Sequence, residues 1–287
     1  MFDSIRHIDV DRKNSLPVAD FANRYRATKT PVVFGDMTHR WPAYRKWNLA
    51  FFRRELGDLE IDVYSHKVAT NGGDSGRPVN RIPADDYFEL LLHDEDELQV
   101  RDLNILKINR YITEDFKYPR FGLRFKKQSP RLHIGGSGSM EHMHYRPDLA
   151  ESFLCNFGGR QTVLLVRPEQ AKYTYEPPWS FESLSTVDYS EAGLINNPAL
   201  SKLDAYIAEL NHGDVLYIPS EYRYAVHYST ISFGLILAAS PRSLHTKLRA
   251  RYNKYIVKPL DSFCVSLFGR KRWQRRRVRK AVRRSRG

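Results

Sequence analysis

The sequence predicts a mainly β protein with flanking helices, and three observations carry that reading. From about residue 104 short apolar runs recur, separated by the turn-forming stretches GGSG, YRPD, FGG and NHGD. Before that point, helix-like segments mix with single strands. After residue 241 the chain turns helical and then strongly basic. Many short strands with such turns suit a barrel or sandwich better than alternating βαβ units.

Taken in order, PVVF (31–34) is a short apolar run led by Pro31 and reads as a strand. NLAFFRRELG (48–57) reads as a helix, with Asn48 as N-cap and Gly57 at the C′ position. IDVYS (61–65) alternates as a strand, and ATNGGDSGRPVN (69–80) has little to bury and reads as a loop. PADDYFELLLH (83–93) is a helix with Pro and acids in its first turn. The strand candidates are NILKI (104–108), RLHI (131–134), MEHMHY (140–145), SFLCNF (152–157), QTVLLV (161–166), DVLYI (214–218), YAVHYS (224–229) and SFGLILAA (232–239). A poorly periodic insertion, roughly 172–200, interrupts them, and 242–260 reads as a helix ending near Pro259.

Composition excludes several classes. At 287 residues, 41% of them hydrophobic, the chain can bury a real core and is not a disordered protein. Two cysteines, Cys155 and Cys264, make neither a disulfide framework nor a cysteine metal cluster. The first residues are charged where a signal peptide needs an apolar run, and no apolar stretch reaches 18 residues. A soluble protein of the cytoplasm is expected, able to sit peripherally at a membrane. Of the +13 net charge, the last 19 residues supply 11 Lys/Arg and no acid, which leaves about +2 for the other 268.

Two segments together resemble the cupin-like JmjC hydroxylases. TPVVFGDMTHRWPAYRKWNLAFFRRELGD (30–58) is similar to the family's entry segment. Leu132 to Gly138, His144-Tyr145-Arg146, Gly158-Gly159-Arg160, Pro168-Glu169-Gln170 and Gly213 through Pro219 then follow the order of its barrel motifs. The resemblance implies a double-stranded β-helix, the cupin or jelly-roll barrel, with an N-terminal helical layer and C-terminal helices. It divides the chain into a JmjC-type domain at 1–241, with the helical layer to about 103 and the barrel at about 104–241. A helical region at 242–268 and a polybasic tail at 269–287 follow.

In that family two His and one carboxylate hold Fe(II) and leave room for 2-oxoglutarate and oxygen. The resemblance places the first His at His144 and the carboxylate at Arg146. The distal His falls at Tyr224, and the lysine that grips 2-oxoglutarate falls at or beside Arg160. A guanidinium does not ligate Fe(II) and repels it. The expected state is a degenerate metal site and a non-catalytic or atypical protein, with Fe(II) and 2-oxoglutarate as cofactors only if the family activity is retained. A rebuilt metal site would draw on His144, His142, Glu151 and Tyr224, since His142 and His144 share a strand face in a regular strand. The competing reading makes Arg146, Arg160, Tyr145 and Tyr222 a pocket for an acidic small molecule or protein ligand.

The tail is a separate feature. Arg270, Lys271, Arg272, Arg275, Arg276, Arg277, Arg279, Lys280, Arg283 and Arg284 are candidates for polyanion contact, to nucleic acid or to an anionic membrane surface. Phe263, Leu267, Phe268 and Trp273 stand just before or within the block and supply apolar anchors. The 242–260 helix allows a homodimer by analogy with the family. Trp41, Trp47 and Cys155 read as packing residues.

Overall fold

Apolar alternation on short segments becomes two facing sheets in the computed structural model, which describes residues 2–57, 59–65, 78–93, 98–184 and 186–286. The side chains at 258, 261, 262, 265, 270, 271, 274 and 286 are left out. The strands are β1 (His7–Asp9), β2 (Arg12–Lys13), β3 (Val32–Phe34), β4 (Glu60–Ser65), β5 (Asn80–Pro83), β6 (Leu98–Asn104) and β7 (Arg131–Gly135), followed by β8 (Met140–His144), β9 (Glu151–Gly158) and β10 (Gln161–Val166). The last four are β11 (Ala205–Leu210), β12 (Val215–Ile218), β13 (Arg223–Tyr228) and β14 (Ser232–Ala239). The smaller sheet runs β1-β11-β10-β13-β8 and the larger β2-β3-β12-β9-β14-β7-β6-β4-β5. This is the double-stranded β-helix with flanking helices. The N-terminal region carries a helical layer and also lends β2 to β6 to the large sheet.

Three apolar clusters define the layers. The interior between the sheets holds Val163 and Leu165 of β10, Tyr224, Val226 and Tyr228 of β13, and Leu154, Leu216 and Ile236 opposite them. The outer face of the large sheet is aromatic. Phe153, Phe157 and Tyr217 pack there against Phe21, Trp47 and Phe52 of the helical layer. Trp47 stacks edge-on to Phe157 at 4.8 Å and donates Nε1–H to Asp115 at 2.9 Å, so its one polar atom is satisfied. Cys155 is buried on this face, and burial pushes its thiol pKa up. The outer face of the small sheet, with Leu164, Val166 and Ala225, is covered by Phe2, Tyr175, Tyr189 and Leu200 from the N-terminus and the insertion.

Most element readings match. Helix Leu49–Leu56 starts where Asn48 accepts from the Phe51 amide at 2.8 Å and ends at Gly57. Helix Ala84–Leu92 follows Pro83. Three readings differ. NILKI is not a strand: Asn104 closes β6, and its side chain accepts from the Leu106 amide, capping a 3-10 turn over Ile105–Lys107. β11 was hidden behind the insertion, whose own structure is the 3-10 turns Pro168–Thr174 and Pro198–Lys202 and helix Glu191–Asn196. The helix expected to stop near Pro259 runs on, because Lys258–Phe268 follows the π turn Asn253–Val257 directly. The basic tail is helical over Arg270–Arg286. Of the loop expected at 69–80, residues 69–77 lie outside the described residues, and Asn80 opens β5.

Candidate ligand site at the barrel mouth

The mouth is the barrel end where β8 and β14 finish and β7 begins. Here β8 departs from regular alternation. Its pairing with β13 joins Tyr224 to His144 but Val226 to Glu141, so three residues on β8 span two on β13. That bulge lets Glu141 share the side of His144. His144 Nε2 lies 3.5 Å from Glu141 Oε1, and His133 Nδ1 of β7 lies 3.6 Å from Glu141 Oε2. His144 Nδ1 is 2.9 Å from the His142 carbonyl, an acceptor only, so Nδ1 carries the proton and donates. Burial alone would push the Glu141 carboxyl up. His144 and then His133 outweigh it and hold the group well below the ordinary carboxylate range. Gly135 is required beside this cluster, because a Cβ there would stand 2.3 Å from the Tyr228 ring.

Tyr224 faces His144 with ring centroids 4.3 Å apart. Burial first, then Glu141, pushes its phenol well above the ordinary range, so it is neutral at physiological pH. Arg146 follows on the same side of the mouth. Its Nε and Nη2 donate to Asp148 at 3.1 and 3.2 Å, and Lys126 Nζ donates to the same carboxylate at 2.5 Å. Burial works against the charge on Arg146, but Asp148 outweighs it and keeps the guanidinium protonated. Burial likewise works against the Asp148 carboxylate, and Arg146 and then Lys126 hold its pKa well below the usual range.

Above this pair opens a pocket of about 660 Å³. Lys126, Arg131, Arg146, Lys247, Arg251 and Lys254 line it with a single acid, Asp148, and with Tyr255. Six cations against one carboxylate leave an excess of positive charge, and in a concave site that charge concentrates anions. The three helix residues, Lys247, Arg251 and Lys254, recur at i, i+4 and i+7 and so form one stripe. That spacing was readable in the sequence and went unused. His133 and Glu141 were missed for another reason, since only the β7 pairing and the β8 bulge bring them to His144.

The remaining candidates separate. Glu151 belongs to the opposite face of β9: it pairs with Arg26 at 2.9 Å and accepts from the Tyr217 hydroxyl at 2.9 Å, outside the barrel. It cannot join His142 and His144 as a ligand. Arg160 is exposed on the turn before β10, and the inward residue beside it is Gln161, whose buried Nε2 has no hydrogen-bond partner. Arg160 does not line the mouth, because it precedes Gln161, which pairs with Tyr228 at the far end of β13 from Tyr224. Tyr145 points under the insertion, against Phe181 and below the Arg223 guanidinium at 4.4 Å. Tyr222 donates to the Lys29 carbonyl at 2.7 Å, and burial pushes its phenol pKa up to about 12. Neither tyrosine reaches Arg146. In the tail, the Arg270 and Lys271 side chains lie outside the described set, while Arg272, Arg275, Arg276, Arg279, Lys280, Arg283 and Arg284 are exposed and Arg277 is half-buried.

These residues do not fit an Fe(II) centre. The three positions where the resemblance implies metal ligands hold an imidazole turned to Glu141, a charged guanidinium and a neutral phenol. Among the described residues no group of three or more His, Cys, Asp or Glu side chains is arranged to hold a metal. Fold and site together define a cupin barrel of JmjC type with a polar, cation-rich mouth. The chain belongs to the cupin-like domain family, whose model matches residues 18–239. It is 22% identical over 237 residues to the lysine-specific demethylase 8 of Danio rerio, covering 79% of this chain and 57% of that protein. It is 23% identical over 234 residues to the tRNA wybutosine-synthesizing protein 5 of Homo sapiens, covering 75% and 72%. The Jumonji C domain-containing protein 5 of Drosophila melanogaster is 18% identical over 240 residues, covering 79% and 59%. The chain thus spans less than two thirds of the first and third of these relatives.

Proposed function

We propose that this is a non-catalytic member of its family, and that the barrel mouth binds a small acidic ligand through the site where relatives of the fold carry out chemistry. The observation that supports this reading is the 660 Å³ pocket lined by six cations around Arg146, with Asp148 as the one acid. Asp148 holds Arg146 by a two-point contact and leaves Lys247, Arg251 and Lys254 on the facing helix for the ligand. A carboxylate or phosphate accepts two parallel bonds from a guanidinium and is the chemistry that such a pocket fits. No step through iron is assigned to it.

The test is calorimetric titration at low salt with two probes, inorganic phosphate and 2-oxoglutarate, read alongside thermal unfolding. Either probe should bind the wild type and raise its melting temperature, by about 2.7 kcal/mol of stabilisation at a hundredfold excess over Kd. Lys247→Ala with Arg251→Ala should abolish the heat without changing the unliganded melting temperature. Equal heats in wild type and double variant would refute the pocket.

A further inference from the structure

The C-terminal helices present a second surface, which adjoins the mouth at Tyr255. Residues 244–268 are continuously helical: an α-helix over Leu244–Tyr252, a π turn over Asn253–Val257, and an α-helix over Lys258–Phe268. At 1.5 Å per residue this stretch is about 37 Å long. Leu244, Leu248, Tyr252, Tyr255, Phe263 and Leu267 are 53–72% exposed along it. Residues spaced by four drift about 40° per step around an α-helix, so such a row would spiral off one face. The π turn absorbs an extra residue and brings Phe263 and Leu267 back into line with Leu244 and Leu248. The result is a long exposed apolar row.

Gly269, at φ +73, ends the stretch in the left-handed conformation that a side chain resists. Helix Arg270–Arg286 follows, and its apolar side is already occupied. Trp273, Ala281 and Ser285 are buried, Val282 packs on the outer cluster of the small sheet, and the Trp273 ring lies nearly parallel to Trp179 and Phe268. Its solvent side carries seven exposed cations between Arg272 and Arg284, and residues 269–287 contain no acid. Between the two helices and the insertion lies a cleft of about 460 Å³, lined by Trp179, Phe268 and Trp273 together with Arg276, Arg279 and Lys280.

A partner must therefore satisfy an apolar row and an adjoining sheet of positive charge. A nucleic acid would use the cations and leave six apolar side chains in water. A second copy of the chain would cover the row but leave seven like charges per copy without counter-charge. We infer that this face docks on an anionic phospholipid surface, the one occupant whose chemistry uses both features. The apolar row enters the boundary between headgroups and acyl chains, and the basic helix pairs with the lipid phosphates. No described helix is long and apolar enough to cross a membrane, so the contact lies in the interface plane.

The experiment is flotation of the full chain with vesicles of phosphatidylcholine, alone or mixed with phosphatidylserine. Binding should require phosphatidylserine and weaken with salt. Phe263→Ser with Leu267→Ser, both exposed positions, should cut partitioning about tenfold or more through lost apolar burial. Arg279→Glu with Arg283→Glu should cut it about fivefold or more per cation. Circular dichroism melts of both variants should match the wild type. Three results overturn the inference. One is vesicle binding indifferent to the apolar pair. Another is an RNA oligonucleotide that outcompetes vesicles at equal phosphate. The last is a dimer dispersed by the apolar pair, with no vesicle binding by the wild type.

Discussion

The outer face of the large sheet and the interior at the barrel mouth are made from the same strands by opposite rules. On the outer face Phe153, Phe157 and Tyr217 meet Phe21, Trp47 and Phe52, and the buried acids are held by donors, Glu151 by Arg26 and Tyr217 and Asp115 by Trp47 and Lys46. In the mouth a buried acid, Glu141, lies between two imidazoles, and charged groups outnumber apolar ones around Arg146. Two glutamates ten residues apart therefore do different work. Glu151 ties a helix to the barrel, whereas Glu141 fixes the orientation of His144. The outer face is apolar and closed, whereas the mouth concentrates charge.

Truncation on the outer face should cost most. Trp47→Ala removes a buried indole and leaves Asp115 with Lys46 as its remaining side-chain donor, so a loss of about 3–5 kcal/mol is expected in denaturant unfolding. Anion affinity at the mouth should be unchanged if the two regions are independent. Next comes Arg26→Ala, which leaves the Glu151 carboxylate buried with only Tyr217. Breaking such a pair costs about 3–5 kcal/mol, and the partial exposure of Arg26 favours the low end. Arg26→Met with Glu151→Leu should recover most of that loss.

The third prediction concerns the mouth and acid. Glu141 has a folded-state pKa depressed below its ordinary value of 4.5, so it contributes stability above that pH. That contribution is lost progressively as the pH falls below about 4.5 toward the folded value. Melting temperatures recorded from neutral pH down into this range should fall more steeply for wild type than for Glu141→Gln. Parallel curves would remove Glu141 from the account. The smallest effect is expected at a helix cap, where Asn48→Ala should cost about 1 kcal/mol in the same unfolding assay.

The same contrast explains what the sequence disclosed. Strands and core were legible because apolar and aromatic runs state burial directly, as at SFLCNF and QTVLLV. Asn48 and Gly57 marked their helix because capping is local chemistry. Motif order picked out His144, Arg146 and Tyr224, and in the structure Tyr224 pairs with His144. Glu141 was not legible, because a bulge reversed the side on which an i, i+3 neighbour stands. Glu151 was misplaced because counting along a strand says nothing of a turn between β8 and β9. NILKI, apolar enough for a strand, was diverted by the Asn104 side chain into a 3-10 turn. The structure of the tail was illegible for a related reason: its few apolar residues, Trp273, Ala281 and Val282, gain meaning only against the surface they cover.

The central claim is that Arg146 and Tyr224 replaced metal ligands in an intact scaffold, and anaerobic Fe(II) titration with metal quantification after gel filtration tests it most directly. Wild type should retain no stoichiometric iron, and Arg146→Asp with Tyr224→His should gain one equivalent. Stoichiometric iron in the wild type, lost in His144→Ala, would contradict the account.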